Sequence, residues 1–121
     1  MKRGTIMRNV TVAAIQMSIP ETPEKSVEKA EKLVRKAAAE GANVILLPEL
    51  FENWYFCQER RYDSYKLALP LEKNPAVRRF QTVAKELSVV LPISFYEQDG
   101  NVLYNSVAMI DADGSVMGVY R

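Results

Sequence analysis

The chain has no histidine and a single cysteine, Cys57, among 121 residues. A Ser-His-Asp triad is therefore excluded from these residues, and so is a zinc site, which draws its ligands mainly from histidine and cysteine. One cysteine cannot close an internal disulfide, which fits a reducing compartment such as the cytoplasm. Neither charge sign is in excess: 16 Lys and Arg face 15 Asp and Glu. No basic stripe with interleaved aromatics runs through the sequence, so nucleic acid is not an expected partner; Arg60-Arg61 reads as solvated surface. No apolar run approaches membrane-spanning length. Met1-Lys2-Arg3-Gly4-Thr5-Ile6 carries two cations without the apolar core of a signal peptide behind them. Repeats, linkers and low-complexity segments are also missing.

What remains is an ordinary soluble composition, 48% hydrophobic and 26% charged, on a length suited to one domain. Val10 to Met17 is rich in β-branched residues and predicts a buried strand. Thr22 is placed to cap a helix with Pro23 in its first turn, where the missing N–H is harmless. Val27, Ala30, Leu33, Val34, Ala37 and Ala38 share one face of that helix; Lys25, Glu28, Lys29, Lys32 and Lys36 cover the other. Gly41 is the stop signal. Val44 to Pro48-Glu49 then predicts a second strand, parallel to the first through a right-handed crossover. Asn74-Pro75 opens a second helix with Val77, Phe80, Ala84 and Leu87 at helical spacing. Val89 to Tyr96 predicts a third strand, with Pro92 marking an irregular or bulged position. Asp99-Gly100 and Asp113-Gly114 are turn signals around Val102 to Ile110 and Val116 to Tyr120. The expected fold class is α/β: a βαβαβ unit running into antiparallel hairpin strands.

The segment Val44-Ile45-Leu46-Leu47-Pro48-Glu49-Leu50-Phe51 carries the main functional signal. It delivers one carboxylate, Glu49, to the carboxyl end of a strand, where open α/β sheets place ligands and chemistry. Its neighbours Leu47 and Leu50 are expected to desolvate it and so favour proton exchange near neutrality; a structural ion pair is the plainer reading. The unperiodic stretch from Phe51 to Pro70 follows directly, and long loops at such positions tend to be functional. In it, Trp54, Tyr55 and Phe56 either line a pocket beside Glu49 or anchor the loop, and the Tyr55 hydroxyl is suited to orienting a polar substrate group. Cys57, without a histidine to activate it, reads as a buried packing residue. Glu59 and Arg60 read as exposed charges. Asn105 either bonds backbone near the site or, the plainer reading, stabilises a turn. Asp111, Asp113 and Gly114 read as turn chemistry, since the other ligands of a calcium loop are missing.

Together, Val12-Ala13-Ala14-Ile15-Gln16-Met17, the helix end Ala38-Ala39-Glu40-Gly41-Ala42-Asn43, Leu47-Pro48-Glu49-Leu50-Phe51, Tyr104-Asn105-Ser106, Ile110-Asp111-Ala112-Asp113-Gly114 and Gly118-Val119-Tyr120-Arg121 resemble the nitrilase (carbon–nitrogen hydrolase) superfamily over essentially the whole chain. Residues Glu49 to Gln58 look most like the branch of N-carbamoylputrescine amidases, and the Phe56-Cys57 pair is also similar to β-ureidopropionases. The resemblance implies the N-terminal portion of a four-layer αββα sandwich. It also implies a Glu-Lys-Cys triad without cofactor or metal, in which a glutamate base activates a cysteine that attacks an amide or ureido carbon. Glu49 stands at the base position, with Trp54 and Tyr55 as the candidate substrate-binding residues. The lysine is expected immediately after Tyr120-Arg121 and the nucleophilic cysteine further on. Residues 1–121 thus read as a partial domain, cut before both, and on their own are expected to be inactive and prone to associate.

The reaction implied is hydrolysis of N-carbamoylputrescine to putrescine, carbon dioxide and ammonia, a step of polyamine biosynthesis. The alternatives are a β-ureidopropionase or other amidase of the superfamily, a non-catalytic piece completed by a partner chain, or a generic α/β binding domain in which Glu49 is structural. Family members usually form homo-oligomers.

Overall fold

The computed structural model of the chain describes residues 7–59 and 61–121; the readings of Met1 to Ile6 and of Arg60 fall outside them. Seven principal elements follow in chain order: β1 (Val12–Ala14), α1 (Pro23–Ala39), β2 (Val44–Leu46), α2 (Pro75–Leu87), β3 (Leu91–Asp99), β4 (Val102–Ile110) and β5 (Val116–Tyr120). The order is βαβαβ followed by antiparallel strands, as the sequence pattern predicts.

Local signals set the helices. The Thr22 hydroxyl accepts from the Lys25 N–H and Pro23 follows at the first position of α1. Gly41, with φ of +97°, turns the chain out of the helix. The Gly41 N–H returns to the Ala38 carbonyl and the Ala42 N–H to that of Ala37, a Schellman closure that occupies two carbonyls of the last turn. Asn74 caps α2 by accepting from the Val77 N–H at 2.9 Å, again with proline next. The two helices are tied by Glu31, which takes the Arg79 guanidinium through two bonds of 2.6 and 2.7 Å, while Arg35 reaches Glu86 at 2.7 Å. Arg79 first, and Arg35 at 2.9 Å after it, hold the Glu31 carboxyl below its ordinary value, with burial opposing them in part.

β1 and β2 pair in parallel, with Ala13 opposite Ile45. β3, β4 and β5 form an antiparallel meander, joined to β2 by a parallel bridge between Val44 and Val90. β1 is shorter than the eight residues expected, although the Ile15 N–H still donates to the Leu46 carbonyl. β3 begins later and runs longer than expected, because Gly100 (φ +60°) and Asn101 make a two-residue hairpin turn that keeps Asp99 paired with Val102.

Pro92 is not a bulge: it pairs in register with Met109. The neighbouring even-numbered positions Val90, Tyr96 and Gln98 direct their backbone groups away from β4, toward Asn43 and Leu69. The ring at Pro92 falls in the same phase and removes no bond of the β3–β4 ladder. The irregularity lies instead between β4 and β5, at Met109 and Ile110.

Alternation along the strands builds the core. Ile45, Leu91, Ile93, Phe95, Ala108 and Ile110 face the helices and are fully buried against Ala30 and Val34 of α1 and Phe80, Val83 and Ala84 of α2. Phe51 and Phe80 meet edge to face, 5.8 Å between ring centroids and 78° apart. The alternate residues form the opposite face of the sheet, which stands open: Val12 is 72% exposed, Leu46 51% and Tyr120 76%. One helical layer and one sheet layer, with that face uncovered, make half of an αββα sandwich. Among the described residues no helix is long and apolar enough to cross a membrane.

Candidate active site

β2 is followed by Leu47 and Pro48 and then a turn over Glu49 to Glu52. Leu50 and Phe51 turn inward and are buried, while Glu49 points to the open face of the sheet. The desolvation expected for Glu49 is therefore not found: its leucine neighbours pack into the core on the other side, and the carboxylate stands exposed.

Among the described residues the carboxylate has one side-chain hydrogen-bond partner on that face, Asn105. The Asn105 Nδ2 donates to Glu49 Oε1 at 2.6 Å. Of the two readings of Asn105, the turn is corrected, and the bond near the site is made to the Glu49 side chain and not to backbone. Asn105 lies within β4, opposite Tyr96, on the face shared with Leu46 rather than with the helices. The hairpin register written from Gly100 would have placed it there, since Ser106, Ala108 and Ile110 occupy the inward positions. Glu49 and Asn105 line a shallow concavity of about 340 Å³ with Leu46, Leu47, Ser94, Val107, Tyr120 and Arg121. The apolar floor with one hydrogen-bonded carboxylate at its rim suits a small polar substrate whose proton is to be moved.

The loop from Phe51 to Pro70 contains short 3₁₀ turns at Phe56–Gln58 and Tyr62–Leu67. Its aromatics diverge. Phe56 anchors the loop by stacking on Tyr96, 4.8 Å between centroids. The Tyr55 phenol is pushed above its ordinary value by the Glu49 charge first and Cys57 second. Trp54 is 63% exposed and lines a different concavity, with Pro20, Pro23 and Leu67. Cys57 is exposed, not buried as expected, because the turn that sends Phe56 inward leaves the next side chain outside. Glu59 and Arg61 are exposed and pair weakly at 3.5 Å.

Two buried carboxylates escaped the sequence reading. Glu52 accepts from Asn74 Nδ2 at 3.1 Å; burial pushes its carboxyl above the ordinary value, Asn74 opposing and Glu24 adding to the effect. Glu97 in β3 accepts from Arg121 through Nε at 2.8 Å and from Ser106 Oγ at 2.9 Å, and its carboxyl lies below the ordinary value chiefly because of Arg121. Arg121 also reaches Asp99 at 2.7 Å and lies 4.2 Å above the Tyr104 ring. The run Asp111 to Ser115 is turn chemistry, as read: the Gly114 N–H returns to the Asp111 carbonyl, and Asp113 accepts from Ser115. Among the described residues no group of three or more His, Cys, Asp or Glu could hold a metal ion.

A model of the carbon–nitrogen hydrolase family matches residues 11–121. N-carbamoylputrescine amidase of Oryza sativa subsp. japonica is 50% identical over 112 residues, 93% of this chain and 37% of that protein. Citrullinase of Francisella tularensis subsp. tularensis is 44% identical over 115 residues, 95% of this chain and 40% of that protein. The crystal structure of a carbon–nitrogen hydrolase from Helicobacter pylori G27 superposes with a TM-score of 0.82 at 27% identity, covering 93% of this chain and 39% of that one. The chain thus spans about two-fifths of the length of these relatives.

Proposed function

The chain belongs to the carbon–nitrogen hydrolase family, and from that premise we propose that Glu49 is the general base of an amidase that removes a carbamoyl group from a small amine. The observation that carries this reading is the placement of Glu49: a carboxylate at the carboxyl end of β2, held by Asn105 in a concavity closed on one side by Tyr120 and Arg121. Tyr55, whose phenol the Glu49 charge raises, is suited to orienting the substrate's polar end. Trp54, in the neighbouring concavity, is suited to an apolar stem.

In this scheme Glu49 takes the proton of a cysteine thiol, and the thiolate attacks the ureido carbon. The amine leaves with a proton and a thioester-type intermediate remains, which water opens. A lysine stabilises the negative oxygen that develops at the attacked carbon. The thiol and the lysine are not among residues 1–121, and Cys57 is not the nucleophile. Residues 1–121 by themselves are accordingly inactive, and their uncovered sheet face makes them associate. The activity belongs to the intact protein, a homo-oligomer of the cytoplasm.

The substrate that fits best is N-carbamoylputrescine, giving putrescine, carbon dioxide and ammonia and so contributing to polyamine formation. The name of the rice relative supports it. The name of the Francisella relative supports a second reading, in which the same carbamoyl chemistry acts on citrulline; the likeness of Phe56-Cys57 to β-ureidopropionases adds N-carbamoyl-β-alanine to that reading. Both readings share the ureido group and differ in the charge at the far end of the substrate.

Ammonia release by the intact protein, measured with each of these three compounds, separates them. Turnover of N-carbamoylputrescine above the other two is expected, with Glu49→Gln lowering kcat by at least about 10³-fold while substrate affinity changes little. Wild-type turnover by Glu49→Gln would reduce Glu49 to a structural carboxylate.

A further inference from the structure

Each of the three residues after Glu49 is fastened to a different element. The Leu50 N–H donates to Ser94 Oγ in β3 at 2.8 Å. The Phe51 carbonyl accepts from Ser26 Oγ in α1. The Glu52 carboxylate accepts from Asn74 Nδ2 at the start of α2. All three partners are buried: Ser26 is 0% exposed, Asn74 2% and Ser94 8%. Asn74 is also the cap of α2, whereas the two serine hydroxyls have no other hydrogen-bond partner among the described residues. Ser26 lies on the apolar face of α1 with Ala30 and Val34, and Ser94, paired with Val107, lies beside Leu46 and Leu47 at the Glu49 concavity.

The backbone they hold is unusual. Leu50 has φ of +49°, the left-handed region that a non-glycine residue adopts only where its surroundings impose it. That conformation reverses the chain between Glu49 and Phe51. It lets Leu50 and Phe51 enter the core while Glu49, next to them in sequence, stays on the open face beside Asn105. Released to an ordinary conformation at Leu50, the turn would carry the carboxylate away from Asn105.

Resting on the reading of Glu49 as the base, we propose that Ser94 and Ser26 are positioning residues: by holding the Leu50 N–H and the Phe51 carbonyl they keep Leu50 left-handed and so set the direction in which Glu49 is presented. Ser94 lines the concavity, but its Oγ is taken by the Leu50 N–H, and in this scheme neither serine takes part in the bond changes. Their contribution is to placement, and a displacement of about 1 Å at a catalytic group is worth roughly 100-fold in rate.

The test uses the intact protein with N-carbamoylputrescine. Ser94→Ala is expected to lower kcat by about 10- to 100-fold with KM within about twofold, and Ser94→Thr, which keeps the accepting hydroxyl, to recover most of the loss. Added to Glu49→Gln, Ser94→Ala is expected to have no further effect, because it acts through the group already removed. Ser26→Ala is read in the same way and decides the matter if Ser94→Ala is not recovered folded. An unchanged kcat in both alanine variants would overturn the proposal, as would a loss that multiplies with that of Glu49→Gln. If Glu49→Gln alone keeps wild-type kcat, the reading of the base fails instead, which is a separate outcome.

Discussion

Asn74 performs two tasks with one amide, and substitutions separate them. Its Oδ1 accepts from the Val77 N–H at the start of α2, and its Nδ2 donates to the buried Glu52 carboxylate. Serine keeps the cap and removes the donor. Losing a hydrogen bond to a buried charged group costs about 1–3 kcal/mol, so Asn74→Ser should fall in that range. Alanine removes the cap as well and should cost about 1 kcal/mol more. Aspartate keeps the cap but sets a second carboxylate about 3 Å from the first. The pH dependence identifies this case. The Glu52 carboxyl is already raised by burial, so above the unfolded value near 4.5 the native state binds more protons than the unfolded one, and stability falls as pH rises toward the folded value. In Asn74→Asp that window extends to higher pH and the loss deepens across it. Urea unfolding of the intact protein at pH 5 and pH 8, followed by circular dichroism, gives all four values. If Asn74→Ser matches the wild type, the bond to Glu52 has no energetic weight. If Asn74→Asp is no more pH-sensitive than the wild type, the two side chains are not coupled.

Two further outcomes follow from the same structure. Gly114 has φ of +87°, and a Cβ there would lie 2.6 Å from the Gln81 carbonyl oxygen of α2; Gly114→Ala should destabilise by roughly 2 kcal/mol in thermal or urea unfolding, and a neutral result would show that the turn moves freely off the helix. Arg121 depresses the Glu97 carboxyl, so its contribution to stability is present above pH 4.5 and is lost as pH falls through the lower folded value. Arg121→Met should therefore lower stability at neutral pH and flatten the acid limb of the stability curve, which unfolding measured from pH 3 to 7 would reveal; parallel curves for the two proteins would refute it.

The parts of the fold that were legible in the sequence are those set by local chemistry. Thr22-Pro23, Asn74-Pro75 and Gly41 act through bonds that span at most five residues, and each does what its residue type dictates. The order of strands and helices follows from apolar periodicity in the same way. Pro92 was misread because its tolerance depends on which side of β3 its missing N–H faces, a property of the sheet and not of the strand. Cys57 was misread because the inward turn of Phe56 toward Tyr96 decides its exposure. At the candidate site, Glu49 stood out by its position and by the family resemblance. Its surroundings did not, since Asn105 is 56 residues away and Ser94 meets Leu50 across a separation of 44. Such contacts come into being only when the β3–β4 hairpin closes beside β2.

The strict pairing of β3 with β4 links the length of a surface turn to the identity of the side chain beside Glu49. Side chains alternate across a strand, so a one-residue insertion between Gly100 and Asn101 that shifted β4 would bring Tyr104 or Ser106 to the open face and drive Asn105 toward the helices. Ala108 and Ile110 would leave the core in the same movement. A register error in this hairpin is therefore a lesion of site and core at once, whereas an insertion of two residues keeps every side chain on its face. Where a length change in this turn shifts β4, only an even step keeps Asn105 on the face of Glu49, although the turn itself lies at the far end of the hairpin.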